Sequence, residues 1–183
     1  MSSTATPTKP GPARLLGYVI EHWQEAVGLV ARLVLGITLL VAGLLKIGNL
    51  ESMVLAVDAY DVVPYSLARV IGYVLPPAEV IVGALLIVGL FTRLSGLAGA
   101  LMMFVFILGI SQAWARGLSI DCGCFGGGGP ISPEEAVAQY PWEILRDTAL
   151  LACGAWLTIN PKTLLSVDSW LFKPISPDPD QRD

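Results

Sequence analysis

Charged residues are scarce in this chain. They make up 14% of its 183 residues, against roughly 25% in a typical soluble domain. Histidine occurs once and cysteine three times, so there is no disulfide framework, only one close pair and a leftover thiol. No run of lysine or arginine exists to neutralise phosphates, which excludes a nucleic-acid partner despite the freedom a net charge of −4 would leave. Internal repeats and a second domain are also missing. What is present is apolar: 54% of residues are hydrophobic and the mean hydropathy is +0.67. The class is integral membrane protein, with the lipid bilayer as its first partner.

A spanning helix needs about 20 mostly apolar residues. Segments 26–45, 70–91 and 94–115 meet that length. A fourth, 142–159, carries Glu143, Arg146 and Asp147 in its first turns, which are expected in the headgroup region. The fold class predicted is all-α, a four-helix transmembrane bundle with short surface helices. Residues 1–14 form a Ser/Thr/Pro-rich tail that does not read as a cleaved signal peptide. Residues 15–173 form the membrane domain, and 174–183 a disordered tail. Residues 15–25 mix apolar and polar positions and are expected along the interface. His22 lies among them and reads as an interfacial side chain rather than a ligand.

Orientation follows from lysine and arginine near the span ends. With a cytoplasmic N-terminus the inside carries Lys9, Arg14, Arg93, Lys162, Lys173 and Arg182, with Arg32 snorkelling from low in the first helix. The outside carries Lys46, Arg69, Arg116 and Arg146. Tyr60, Tyr65, Tyr73, Trp114, Tyr140 and Trp142 would form an outer aromatic belt. Both termini are thus expected in the cytoplasm, and the loop after the third span outside.

Three local features refine this plan. Met53, Val54, Val57, Tyr60 and Val63 fall near one face, which predicts a surface helix between the first two spans. Pro76-Pro77 should delay the second helix so that Glu79 sits in its first turn. Ser132-Pro133-Glu134-Glu135 matches a capping box and predicts a short surface helix over 133–139.

Cys122-Gly123-Cys124 lies in the outer loop, where a disulfide forms and persists. Gly123 removes the side-chain obstacle to a tight backbone, and a bridge across so small a ring should be strained and exchange-prone. The glycine run 126–129 lets a partner backbone approach. Redox exchange competes here with a static bridge and with half of a metal site. The metal reading is weakest, since four ligands are usual and no histidine or further cysteine accompanies the pair. The glycines are not a phosphate loop, as no Gly-Lys-Ser/Thr follows. Cys153, about eleven residues into the fourth span, reads as a small core hydrophobe. Lys46 and Glu79 are expected at the outer boundary, either paired as a proton-handling site below the thiols or reaching separately for headgroups.

Arg32-Leu-Val-Leu-Gly36, Ala42-Gly-Leu-Leu-Lys46, Pro77-Ala-Glu79 and Arg116-Gly117 with Asp121-Cys-Gly-Cys-Phe-Gly126 together resemble the MauE family of methylamine-utilisation membrane proteins. That family is related to DoxX-like four-helix proteins. The resemblance implies a bacterial cytoplasmic-membrane protein that helps form disulfides in exported redox partners, methylamine dehydrogenase being the namesake client. Only Cys122 and Cys124 carry over as catalytic residues, with Lys46, Glu79 and Asp121 as support. The expected activity is thiol-disulfide exchange with an exported thioredoxin-like or other thiol protein. A membrane quinone is the acceptor suggested by analogy with disulfide-generating membrane enzymes, and no residue identifies its site. The rival readings are a non-catalytic assembly subunit and a DoxX-like quinone-linked oxidoreductase of small sulfur compounds.

Overall fold

The computed structural model describes residues 23–121, 123, 129–161, 163 and 166–168. Four long helices and one short one make up almost all of it. They are α1 (Trp23–Ile47), α2 (Leu50–Ala59), α3 (Tyr65–Val88), α4 (Thr92–Ala115) and α5 (Pro133–Ile159). A two-stranded antiparallel ribbon, β1 (Ile120–Asp121) and β2 (Gly129–Pro130), separates α4 from α5. The protein is an all-α membrane bundle.

The sorting of side chains on α1 shows what solvent the fold expects. Val27, Val30, Val34, Ile37, Val41 and Leu44 form an exposed stripe at helical spacing, while Ala31, Leu35, Leu39 and Ala42 are buried. Both faces are apolar, so only lipid suits the outer one. Helices α1, α3 and α4 are each long and apolar enough to cross a membrane. Helix α5 is less apolar because its interior face carries buried carboxylates, Glu143 and Asp147. Polar atoms there face neighbouring helices rather than hydrocarbon.

Between membrane helices the hydrophobic drive is weak, and small residues permit the close backbone approach that replaces it. Here α1 meets α3 through Gly36, Gly43 and Gly83, and a Cβ added at Gly83 would lie 2.6 Å from the backbone nitrogen of Leu40. Helix α5 meets α4 through Gly154, whose Cβ would lie 2.9 Å from the backbone of Ala100. Leu35, Leu39, Leu86, Met103, Leu150 and Leu157 fill the space between these seams.

Two sequence expectations about helix boundaries are corrected. Pro76 and Pro77 do not delay α3, which runs unbroken from Tyr65 and places Glu79 in its middle rather than in its first turn. Likewise Pro141 lies inside α5, so the short helix expected over 133–139 and the fourth span are one helix of 27 residues. The cause is shared. Breaking a helix inside a bilayer would strand more backbone polar groups than a proline does, and packed neighbours tolerate the missing N–H. The capping box itself is present: Ser132 Oγ accepts from Glu135 N, and Glu135 Oε2 accepts from Ser132 N. It starts α5, not a separate element.

The surface helix between the first two spans is also present as α2, capped by Asn49, whose side chain accepts from Ser52 N at 3.2 Å. Met53, Val54 and Ala56 are buried, with Val54 against Gly72 of α3. At the other end of the bundle, Gly89 closes α3 at φ 74°. The Asp168 carboxylate accepts from Phe91 N at 2.9 Å and Thr92 N at 2.8 Å, pinning the α3–α4 hairpin. Arg32 does not snorkel to lipid. It is 2% exposed and its Nη1 donates to Thr163 Oγ1 at 2.8 Å. The terminal tails and His22 lie outside the described residues.

Candidate functional site

Cys122 and Cys124 themselves lie outside the described residues; the neck that holds their loop does not. Strands β1 and β2 pair Ile120 with Pro130 and Asp121 with Gly129, on either side of residues 122–128 in the chain. Gly123 takes φ 67°, and its N–H donates to Asp121 Oδ1 at 2.9 Å. That bond is an Asx turn, in which an aspartate side chain caps the backbone two residues on. Asp121 thereby caps the backbone at Gly123.

Tyr140 fastens the neck to the bundle. Its hydroxyl accepts from Ile120 N at 3.1 Å and lies 2.8 Å from Leu118 O and 2.9 Å from Ile120 O, the carbonyls to which it can donate. The ring is 2% exposed and packs with Ile110 and Ala136. This corrects its assignment to an exposed belt; Trp142, of the same assignment, is 67% exposed. Nearby, Arg116 Nη1 donates to the carbonyls of Tyr60 and Asp61, and its Nη2 pairs with Asp61 Oδ2 at 3.2 Å. The end of α4 is so tied to the end of α2. The Tyr140→Phe variant should lose this clamp. Ile120 N–H would be left buried without its acceptor, a cost of about 1–3 kcal/mol, read as faster amide exchange at Ile120 with the membrane helices unchanged. Equal exchange in both proteins would contradict the clamp.

The second cluster is ionic and buried. Lys46, in the last turn of α1, places Nζ 2.8 Å and 2.9 Å from the two carboxylate oxygens of Glu79. The side chains are 2% and 0% exposed, and Nζ lies 5.6 Å from the centre of the Phe106 ring. Of the two sequence readings, pairing is the one observed. Neither group reaches for headgroups. Arg146 Nε donates to Asp147 Oδ1 at 2.9 Å, and Asp147 is 2% exposed. Glu143 and Asp147 thus sit within the bundle rather than in a headgroup layer, ten and fourteen residues past Pro133. A small cavity of about 10 Å³ is lined by Thr38, Glu79, Met103, Phe106, Arg146 and Asp147, bringing the two ion pairs to one place.

Cys153 is a free thiol, partly buried against the core cluster. It stands twenty residues along α5 rather than eleven, about 30 Å from the end nearest the loop at 1.5 Å per residue. Among the described residues no group of three His, Cys, Asp or Glu side chains could hold a metal ion.

The family model of methylamine utilisation protein MauE matches residues 24–160, most of the chain and all five helices but the first residue of α1. This chain belongs to the MauE family. No curated protein and no solved structure matches it. Membership agrees with the apolar helices and with the resemblance read from the Asp121–Gly126 element. Two parts of this MauE protein's site escaped the sequence reading: the Tyr140 clamp and the Arg146–Asp147 pair. The spacing of Glu143 and Asp147, one helical turn apart on one face, was the available signal for the latter.

Proposed function

We propose that this MauE protein exchanges a Cys122–Cys124 disulfide with an exported thiol protein. The observation that supports the reading most is the built neck. A ribbon, an Asx turn at Gly123 and the Tyr140 clamp are built from the residues that flank the glycine-rich Cys-Gly-Cys segment in the chain. A loop meant only to connect two helices needs none of these. In the exchange, two client thiols reduce the S–S bond to two cysteine thiols and leave with a disulfide of their own. Two electrons and two protons then pass to an acceptor, for which a membrane quinone is the class proposed. Charge and aromatic asymmetry support an outward-facing loop and cytoplasmic termini, in the cytoplasmic membrane of a bacterium.

The test is trapping. In Cys122→Ala and Cys124→Ala proteins, one of the two variants should accumulate a mixed disulfide with an exported protein, released by dithiothreitol and identified by mass. Cys153→Ala should trap nothing, its thiol lying far along α5. If neither loop variant traps a partner while both are stably inserted, the loop is a structural staple and the protein a non-catalytic assembly subunit.

A further inference from the structure

Helices α3 and α4 are joined by a tight hairpin that Asp168 pins, yet a gap opens between them further along. It is a cavity of about 170 Å³, a little larger than the roughly 150 Å³ apolar cavity that admits benzene. Met53 and Val57 of α2 cover it, Ile71 and Leu75 of α3 form one side, and Phe106 and Ile110 of α4 form the other. The gap is held rather than loose. The Tyr60 ring lies against α4, 3.5 Å from where a Cβ on Gly109 would stand, and Arg116 donates to the carbonyls of Tyr60 and Asp61. These ties fasten the end of α2 to α4 at the edge of the gap. Left empty, such a cavity forfeits the contacts its lining would otherwise make. Water does not suit it, because a buried water needs roughly two to four polar partners and Tyr60 carries the only N–H or O–H among the lining side chains. The opening points to the occupant. Val105, fourteenth of the 24 residues of α4, lines the cavity and is 60% exposed, and in the middle of a spanning helix that exposure is to lipid. Val62, in the turn between α2 and α3, lines it too and is also exposed. The cavity thus continues the surface that lipid already covers.

We infer that this cavity is a binding site for one acyl chain of a membrane phospholipid, inserted between α3 and α4 under the cover of α2. The chain enters past Val105, packs against Leu75, Phe106 and Ile110, and completes a contact that the two helices leave unfinished. No charged side chain lines the cavity, so the headgroup stays outside with the surrounding lipid. The same lining suits the ring of a quinone less well, since its carbonyl oxygens would find a single side-chain hydroxyl, that of Tyr60. The ribbon packs on α2 as well, so the helix that covers the lipid chain also supports the strands flanking the cysteines. The inference rests on this geometry alone and stands whether or not the loop exchanges disulfides.

Photolabelling tests it, with the full-length protein in phosphatidylcholine vesicles containing a phosphatidylcholine that carries a diazirine in one acyl chain. Surrounding lipid labels the exposed stripe of α1, Val30 and Val34 among it. Met53 and Ile110 are only 6% and 1% exposed, so a chain reaches them from within the cavity. Adducts mapped by mass spectrometry should appear on both sets. Ile71→Trp, which fills the cavity, should lower those on Met53 and Ile110 severalfold and leave those on α1 unchanged. Labelling of α1 alone, or adducts on Met53 and Ile110 that persist in a folded Ile71→Trp protein, would overturn the proposal. So would displacement of those adducts by added ubiquinone-1, which would assign the cavity to a quinone. Should the variant fail to insert, the adduct map and the ubiquinone-1 competition in the unmutated protein decide it.

Discussion

Replacing either partner of the Lys46–Glu79 pair by alanine should destabilise the bundle by about 3–5 kcal/mol, because an uncompensated charge is left in a buried site. Both Glu79 oxygens are bonded by the same Nζ, and both side chains are essentially shielded. The swap of Lys46→Glu with Glu79→Lys should recover part of the loss. Replacing both by apolar residues of similar size, Lys46→Met with Glu79→Leu, should hurt less than either single alanine change, because no charge then remains to be solvated. Thermal unfolding of the four proteins in one detergent or lipid environment gives the comparison. Purely additive damage would mean that the two groups do not stabilise each other.

Gly83→Val should separate α1 from α3. A Cβ there would lie 2.6 Å from Leu40 N and 2.8 Å from Gly36 O, and backbone atoms cannot rotate aside as a side chain can. The cost should approach about 3 kcal/mol, the upper end for overpacking, and it should also lengthen the Lys46–Glu79 contact that this seam holds in register. Gly48→Ala is the control, since nothing lies within 4 Å of a Cβ at that position. Equal unfolding temperatures for the two variants would contradict close approach as the basis of the α1–α3 seam.

The membrane class, the bundle, α2 and the Ser132 cap were legible because each rests on composition, length or a local pattern. Pro76-Pro77 and Pro141 misled for one reason. Their local meaning, a break, is set in water, whereas packed membrane helices absorb a missing N–H. Lys46 and Glu79 stand 33 positions apart in the chain, and only their charge in apolar surroundings hinted at a pair. Arg32, Glu143 and Asp147 were assigned to headgroups because sequence counts charges along a span but not around it. They turn inward once the helices assemble. Tyr140 was hidden differently. A tyrosine near a span end usually marks an interface, and its clamp on Ile120 depends on a ribbon that two residues per strand cannot announce.

Differential thiol labelling of intact cells tests the central claim most directly. A membrane-impermeant maleimide of large mass is applied before and after mild reduction, and the protein's gel mobility is read. The account predicts no shift before reduction and a two-label shift after it. In Cys122→Ala or Cys124→Ala, a single label should attach without reduction, whereas Cys153→Ala should behave as the parent does. Loop cysteines that are free and unreactive before reduction, or that label only after lysis, would contradict an exchangeable disulfide on the exported side.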